Sequence, residues 1–172
     1  MSVTVITSPE VIDDSLPGIY IFMAGGIKGC PEWQDQYIAE FKKIYKKKAD
    51  FQDVFLINPR RTNFEGADKA EQVKWEFEAL KQVQLVSFWF SSATLCPISL
   101  YELGCCNNRS QTIFLGIDPG YEKADDVLMQ TQLSTGTVYS SVNDVKSLVR
   151  SVVDYIRDEY DEDYDVTYND EY

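Results

Sequence analysis

The chemistry open to this chain is framed by two glutamates, Glu76 and Glu102, and by the complete absence of histidine. Without an imidazole there is no Ser-His-Asp or Cys-His couple, so acid–base or nucleophilic work falls to carboxylates, Tyr, Lys or Cys. Glu102 sits in Tyr101-Glu102-Leu103-Gly104, one turn into a helix that opens after an apolar run and a loop ending at Pro97. From there its side chain reaches the carboxyl edge of a sheet. Two readings stay open: Ser99-x-x-Glu102 matches a capping box, in which the glutamate serves only the Ser99 backbone. If Pro97 is instead the first helical residue, Glu102 lies past the capping turn and is free.

Glu76 belongs to a helical pattern from about Ala70 to Val83, where Val73, Phe77 and Leu80 mark a buried stripe. That spacing puts Glu76 at the edge of the apolar face and turns Trp75 and Glu78 outward. A carboxylate beside a buried stripe needs a partner or a purpose; the plainer reading is a boundary glutamate whose head reaches water.

Other residue types have chemistry in reach. Ala24-Gly25-Gly26-Ile27-Lys28-Gly29 follows an apolar strand and precedes a helix, where backbone amides can face an anion or let a sugar approach. Tight turning alone also calls for glycine there. Asn58 stands where a dinucleotide fold places an acid, which argues against NAD. Arg60 and Arg61 can grip a phosphate, or be ordinary surface charges. Cys96, before Pro97, is a possible thiolate near a helix start, although an idle buried thiol is the more common fate.

The elements that must position these groups alternate. Apolar runs at Ile19–Ala24, Asp53–Asn58, Leu85–Phe90 and Thr112–Ile117 read as strands, the last stopped by Asp118-Pro119-Gly120, and Thr137–Tyr139 reads as a short fifth. Helical spacing follows Pro31 through Trp33, Tyr37 and Phe41, with Lys42 and Lys43 near its end, and returns after Ser141, a candidate cap, in Val142, Val145, Leu148, Val152 and Ile156. This predicts a single-domain three-layer α/β fold, Rossmann- or flavodoxin-like, with a parallel sheet of about five strands covered on both faces. Ligands then sit beyond the carboxyl ends of the strands. The domain is expected over 1–157, with 158–172 an acidic, disordered tail.

Composition sets the outer limits. The 172 residues, 44% apolar, suit one core, and a net charge of −12 disfavours nucleic acid polymers. No apolar run is long enough for a bilayer, and four cysteines without a regular framework suit reduced thiols, so a cytoplasmic protein with no membrane partner is expected. None of these motifs calls for a cofactor or a metal.

Taken together, the glycine-ended strand, the Trp33 helix, Asn58-Pro59-Arg60-Arg61, Trp75-Glu76-Phe77-Glu78 and above all Glu102-Leu103-Gly104 resemble the nucleoside 2-deoxyribosyltransferase-like family over roughly Ile19 to Gln132. The resemblance implies cleavage or transfer at the N-glycosidic bond of 2′-deoxynucleosides or their 5′-monophosphates. Glu102 would be the nucleophile that forms a covalent deoxyribosyl ester, and Glu76 the acid–base partner that contacts the base. It also implies substrate contacts from Ala24, Gly25, Gly26, Lys28, Asn58, Arg60, Ser91, Ser92 and Cys96. Met129 and Gln130 are a loose match to residues supplied by a neighbouring subunit, and a homo-oligomer is expected. Phe22 stands where the family has a tyrosine that hydrogen-bonds the nucleophile, with Tyr20 two residues away on the same face, and Cys96 where it has a second acid. Those departures leave a non-catalytic nucleotide-binding module on the same fold as the alternative.

Overall fold

The computed structural model describes residues 2–45, 52–62, 66, 68–109, 111–135 and 141–160. Its elements run β1 (Val3–Thr7), β2 (Ile19–Gly25), α1 (Trp33–Ile44), β3 (Val54–Asn58), α2 (Lys69–Gln82), β4 (Leu85–Phe90), α3 (Pro97–Asn107), β5 (Thr112–Ile117), α4 (Ala124–Thr135), β6 (Ser141–Val142) and α5 (Val145–Tyr160). The six strands form one sheet in the order β1-β3-β2-β4-β5-β6, and every pair is parallel. Continuous apolar runs suit this arrangement, because a parallel strand covered on both faces has no solvent side. β3 and β4 are buried throughout, and β2 is buried up to Gly25.

α1 and α5 cover one face through Trp33, Tyr37, Phe41, Leu148, Val149 and Val152. α2, α3 and α4 cover the other through Ala79, Leu80, Leu103, Cys106 and Val127 against Tyr20, Phe22, Val86 and Phe88. Chain order reverses between β2 and β4, since β3 lies on one side of β2 and β4 on the other. In open parallel sheets this switch point is where a crevice opens at the carboxyl ends.

The three-layer architecture agrees with the sequence, with four local corrections. β1 is an addition to the expected strands: among the described residues it is a half-buried edge strand paired only with β3, so it lacks the long apolar run of its neighbours. The expected strand Thr137–Tyr139 lies outside the described residues, and the sixth strand is Ser141–Val142. Ser141 therefore does not cap α5; Asp144 does, accepting from the Ser147 N–H at 2.9 Å. α5 also continues to Tyr160, past the expected boundary at 157, and 161–172 lie outside the described residues.

The fourth correction concerns α2. Val73 and Phe77 are exposed, and Trp75 is half-buried with its ring 6.4 Å from Phe22 and its indole N–H donated to the Glu10 carbonyl. The face turned to the sheet is Gln72, Ala79 and Leu80, with Glu76 at its edge, one residue round from the expected stripe. A glutamine on the inner face is tolerated because its amide is fully hydrogen-bonded. Among the described residues no helix is long and apolar enough to cross a membrane, and all four cysteines are free thiols.

Candidate active site

A cleft of about 780 Å³ opens at the switch point, lined by Phe22, the Gly25–Lys28 loop, Pro59, Lys69, Gln72, Val73, Glu76, Thr94 and the start of α3 from Cys96 to Ser99, with Glu102. Its floor is set by two glycines that accept no substitute. A Cβ on Gly25 would lie 2.5 Å from the Trp89 carbonyl oxygen and 2.7 Å from the Trp33 ring. A Cβ on Gly26 would meet the Cys30 and Cys96 sulfurs at 2.3 and 2.8 Å. The Trp33 indole clamps the same loop by donating to the Gly26 carbonyl at 3.0 Å.

α3 begins at Pro97, whose missing N–H costs nothing in the first helical turn. Cys96 is the cap residue, in the left-handed region at φ 45°, and its side chain makes no capping bond. Glu102 is therefore in the second turn, and the capping-box reading with Ser99 does not hold. Its carboxyl faces the cleft among apolar neighbours, and burial, with the charge of Glu76 behind it, pushes its pKa up to about 8.

Glu76 enters the same cleft from α2. Burial also raises its pKa, but a hydrogen bond from Gln72 Nε2 to its Oε1 at 2.7 Å and the positive charge of Arg61 oppose the shift. The two carboxyls are thus electrostatically coupled and differently supported. Two coupled carboxyls in a shared low-dielectric cleft lose their protons in separate steps, so a pH range exists in which the pair holds one proton.

Of the expected substrate contacts, Gly25, Gly26, Lys28 and Cys96 line the cleft. The others are placed elsewhere. Ala24 is buried within β2, and Asn58 accepts the Arg60 N–H at 3.0 Å at the end of β3. Arg60 is occupied: its guanidinium donates to Gln34 Oε1 at 2.9 Å and to the carbonyls of Ile27, Cys30 and Pro31, so it clasps the glycine loop from behind. Ser91 is buried and accepts from the Ala93 N–H, while the Ser92 hydroxyl donates to Asp118. Met129 is exposed on α4, away from the cleft. Tyr20 does not substitute for the hydroxyl that Phe22 lacks, since its one hydrogen is donated to the Asp13 carbonyl at 2.6 Å, with the Leu16 carbonyl 3.1 Å away.

Cys96 is a poor thiolate despite its helix start. Burial raises its pKa, and the Thr94 hydroxyl 3.4 Å from its sulfur only partly opposes that. Residues not singled out in the sequence complete the lining: Lys69, Gln72, Thr94 and Ile98 among them. Gln72 had a legible signal, since it precedes Glu76 by one helical turn, where side chains meet. Among the described residues no group of three or more Cys, Asp or Glu side chains is placed to hold a metal ion.

The family model described as nucleoside 2-deoxyribosyltransferase like matches residues 18–121, more than half of the chain. Among solved structures, a conserved protein from Enterococcus faecalis V583 superposes with a TM-score of 0.56 at 11% identity, over 81% of this chain and 99% of that one. At that identity the likeness speaks for the fold alone. No curated protein matches the chain.

Proposed function

Because the chain belongs to the nucleoside 2-deoxyribosyltransferase-like family, we propose that it cleaves or transfers at the N-glycosidic bond of 2′-deoxynucleosides or their 5′-monophosphates. The observation that carries this reading is the pair itself: Glu102, past the capping turn, and Glu76, from another helix, line one cleft. In the proposed reaction a Glu102 oxygen attacks C1′ while the C1′–N bond breaks and its electron pair leaves with the base. The base takes a proton from the pair, with Glu76 as the group that delivers it. Water then releases the deoxyribosyl ester, or a second base takes the sugar. An oxocarbenium-like transition state favours a carboxylate beside the anomeric carbon and an acid at the leaving group.

Of the two substrate forms, the 5′-monophosphate supplies what the cleft lacks. Lys28 and Lys69 both line it, and neither is in an ion pair with a described residue. A phosphate would give them a partner. The exposed apolar side chains of α2, α3 and α4, Phe77, Ile98, Tyr101 and Met129 among them, form the surface that a second copy of the chain would cover.

The test is a screen of deoxynucleosides and their monophosphates for release of free base, with wild type beside Glu102→Ala. Release by the wild type only is the expected result; an active Glu102→Ala enzyme would sink the mechanism. A second reading, a nucleotide-binding module without turnover, draws on Phe22, which lines the cleft without a hydroxyl to orient Glu102. It expects a ligand to raise the melting temperature with no base released and Glu102→Ala to bind as well as wild type.

A further inference from the structure

Behind Glu76 lies a chain of hydrogen bonds whose direction is fixed by chemistry. Arg61 can only donate; its Nη2 reaches Ser8 Oγ at 3.1 Å, while its Nη1 holds Glu71 at 2.9 Å. The buried Ser8 hydroxyl therefore accepts from Arg61 and passes its one hydrogen to Gln72 Oε1 at 2.9 Å. That settles the orientation of the Gln72 amide. Its Nε2 then donates both hydrogens, one to the Pro59 carbonyl at 2.9 Å and one to Glu76 Oε1 at 2.7 Å. The reversed amide would set its oxygen against a carbonyl and a carboxylate at once, and would leave the Ser8 hydrogen facing an NH2 group.

No comparable donor reaches Glu102 from a described residue. Its neighbours one turn away on α3 are Ile98 and Ser99, which line the cleft with it, and the buried thiol of Cys106, whose pKa burial and the Glu102 charge raise. The remaining charged groups around the pair are Lys28 and Lys69, which line the cleft, and Arg61, three hydrogen bonds behind Glu76. One carboxyl is thus wired to a cation through three oriented hydrogen bonds, and the other receives no hydrogen bond from a described residue.

We propose that Gln72 is a positioning residue: the oriented chain Arg61 to Ser8 to Gln72 holds Glu76 as the ionised acceptor and so leaves the proton shared by the pair on Glu102 until substrate binds. This rests on the reading of Glu102 as nucleophile and gives the reaction its proton. As the C1′–N bond breaks, that proton passes from the Glu102 carboxyl through Glu76 to the departing base nitrogen. The Glu102 carboxylate so created forms the bond to C1′. One proton moves, one bond breaks and one forms, and no further acid is required. Ser8 lies outside the segment 18–121 matched by the family model, so part of the relay comes from the edge strand's connection rather than from the matched region.

The experiment is a carbon-13 titration of the glutamate carboxyls in the full chain without ligand, assigned with Glu76→Gln and Glu102→Gln, for wild type, Gln72→Met and Ser8→Ala. Wild type should show Glu76 losing its proton at lower pH than Glu102. In Gln72→Met, which removes the donor at similar volume, Glu76 should titrate higher by about one pH unit or more, the size expected for losing a hydrogen bond to a charged group. Ser8→Ala should move it in the same direction by less, and it reports on the relay should Gln72→Met fold poorly. The pH profile of kcat/KM for base release should shift with the titration. An unmoved Glu76 in both variants overturns the proposal. If Glu76 moves as expected while no deoxynucleoside or monophosphate releases base with wild type, the relay stands and the enzymatic reading falls.

Discussion

On the face of the sheet covered by α1 and α5, Tyr37, Phe41, Leu148, Val149 and Val152 are wholly inaccessible, whereas the opposite face leaves Val73 and Phe77 about half exposed at 55% and 51% and encloses two carboxyls. The first face is an aromatic and β-branched seal, in which Tyr37 and Phe41 stack 6.1 Å apart. The second accepts desolvated charge and exposed apolar surface, both of which cost stability. The contrast teaches where each kind of substitution should register: in folding on the first face, in chemistry on the second.

The sharpest way to break that comparison is to remove the proposed nucleophile. Glu102→Ala should lower base release on the order of 10³-fold or more, with the melting temperature unchanged or higher. Assays of turnover alongside thermal unfolding check both halves, and a stable variant with near-wild-type turnover would erase the distinction between the faces. Next in size is Phe41→Ala on the sealed face. It should cost about 3–5 kcal/mol in denaturant unfolding, with kcat per folded molecule preserved.

The third expectation has a sign fixed by the Glu102 carboxyl, whose pKa rises from 4.5 to about 8 on folding. The folded protein binds this proton more tightly than the unfolded chain, so wild-type stability falls as pH rises from about 4.5 through about 8 and then levels. Glu102→Gln lacks that loss. Its stability advantage over wild type should be near zero below pH 4.5 and grow to as much as about 5 kcal/mol above pH 8, measured as chemical denaturation across the range. A pH-independent difference would show that Glu102 is not held in its protonated form. Smallest is Phe77→Ser on the open face: monomer stability should change by less than about 0.5 kcal/mol, while sedimentation should shift toward monomer if a second copy covers α2.

How much of this was legible in the sequence follows the same division. The central strands and the sealed face announce themselves, because Ile19–Ala24, Leu85–Phe90 and the Val145–Ile156 pattern have no reading other than burial. β1 escaped because an edge strand is half-exposed and short, so its Val-Thr alternation carries no run to notice. On the open face, reading the stripe of α2 from apolar residues alone turned the helix by one residue. Gln72, being polar, does not enter such a stripe, yet its hydrogen bonds to Ser8, Pro59 and Glu76 let it face inward. The same limit applies to the arginines. Asn58-Pro59-Arg60-Arg61 marks a functional-looking corner, but only coordinates show Arg60 spent on loop carbonyls and Arg61 spent on Ser8 and Glu71. Glu102 is the reverse case. Two roles were open in the sequence, and the start of α3 at Pro97 removes the capping role.

The central claim, that Glu102 is the atom donor of a covalent ester on the open face, is tested most directly by peptide mapping. Wild-type protein is quenched in acid during incubation with each deoxynucleoside 5′-monophosphate, digested, and its peptides weighed and fragmented. The expected result is a deoxyribosyl or deoxyribosyl-phosphate adduct on the peptide carrying Glu102, localised to that residue and missing in Glu102→Ala. Base released by the wild type with the adduct on another residue, or with the adduct persisting in Glu102→Ala, would contradict it.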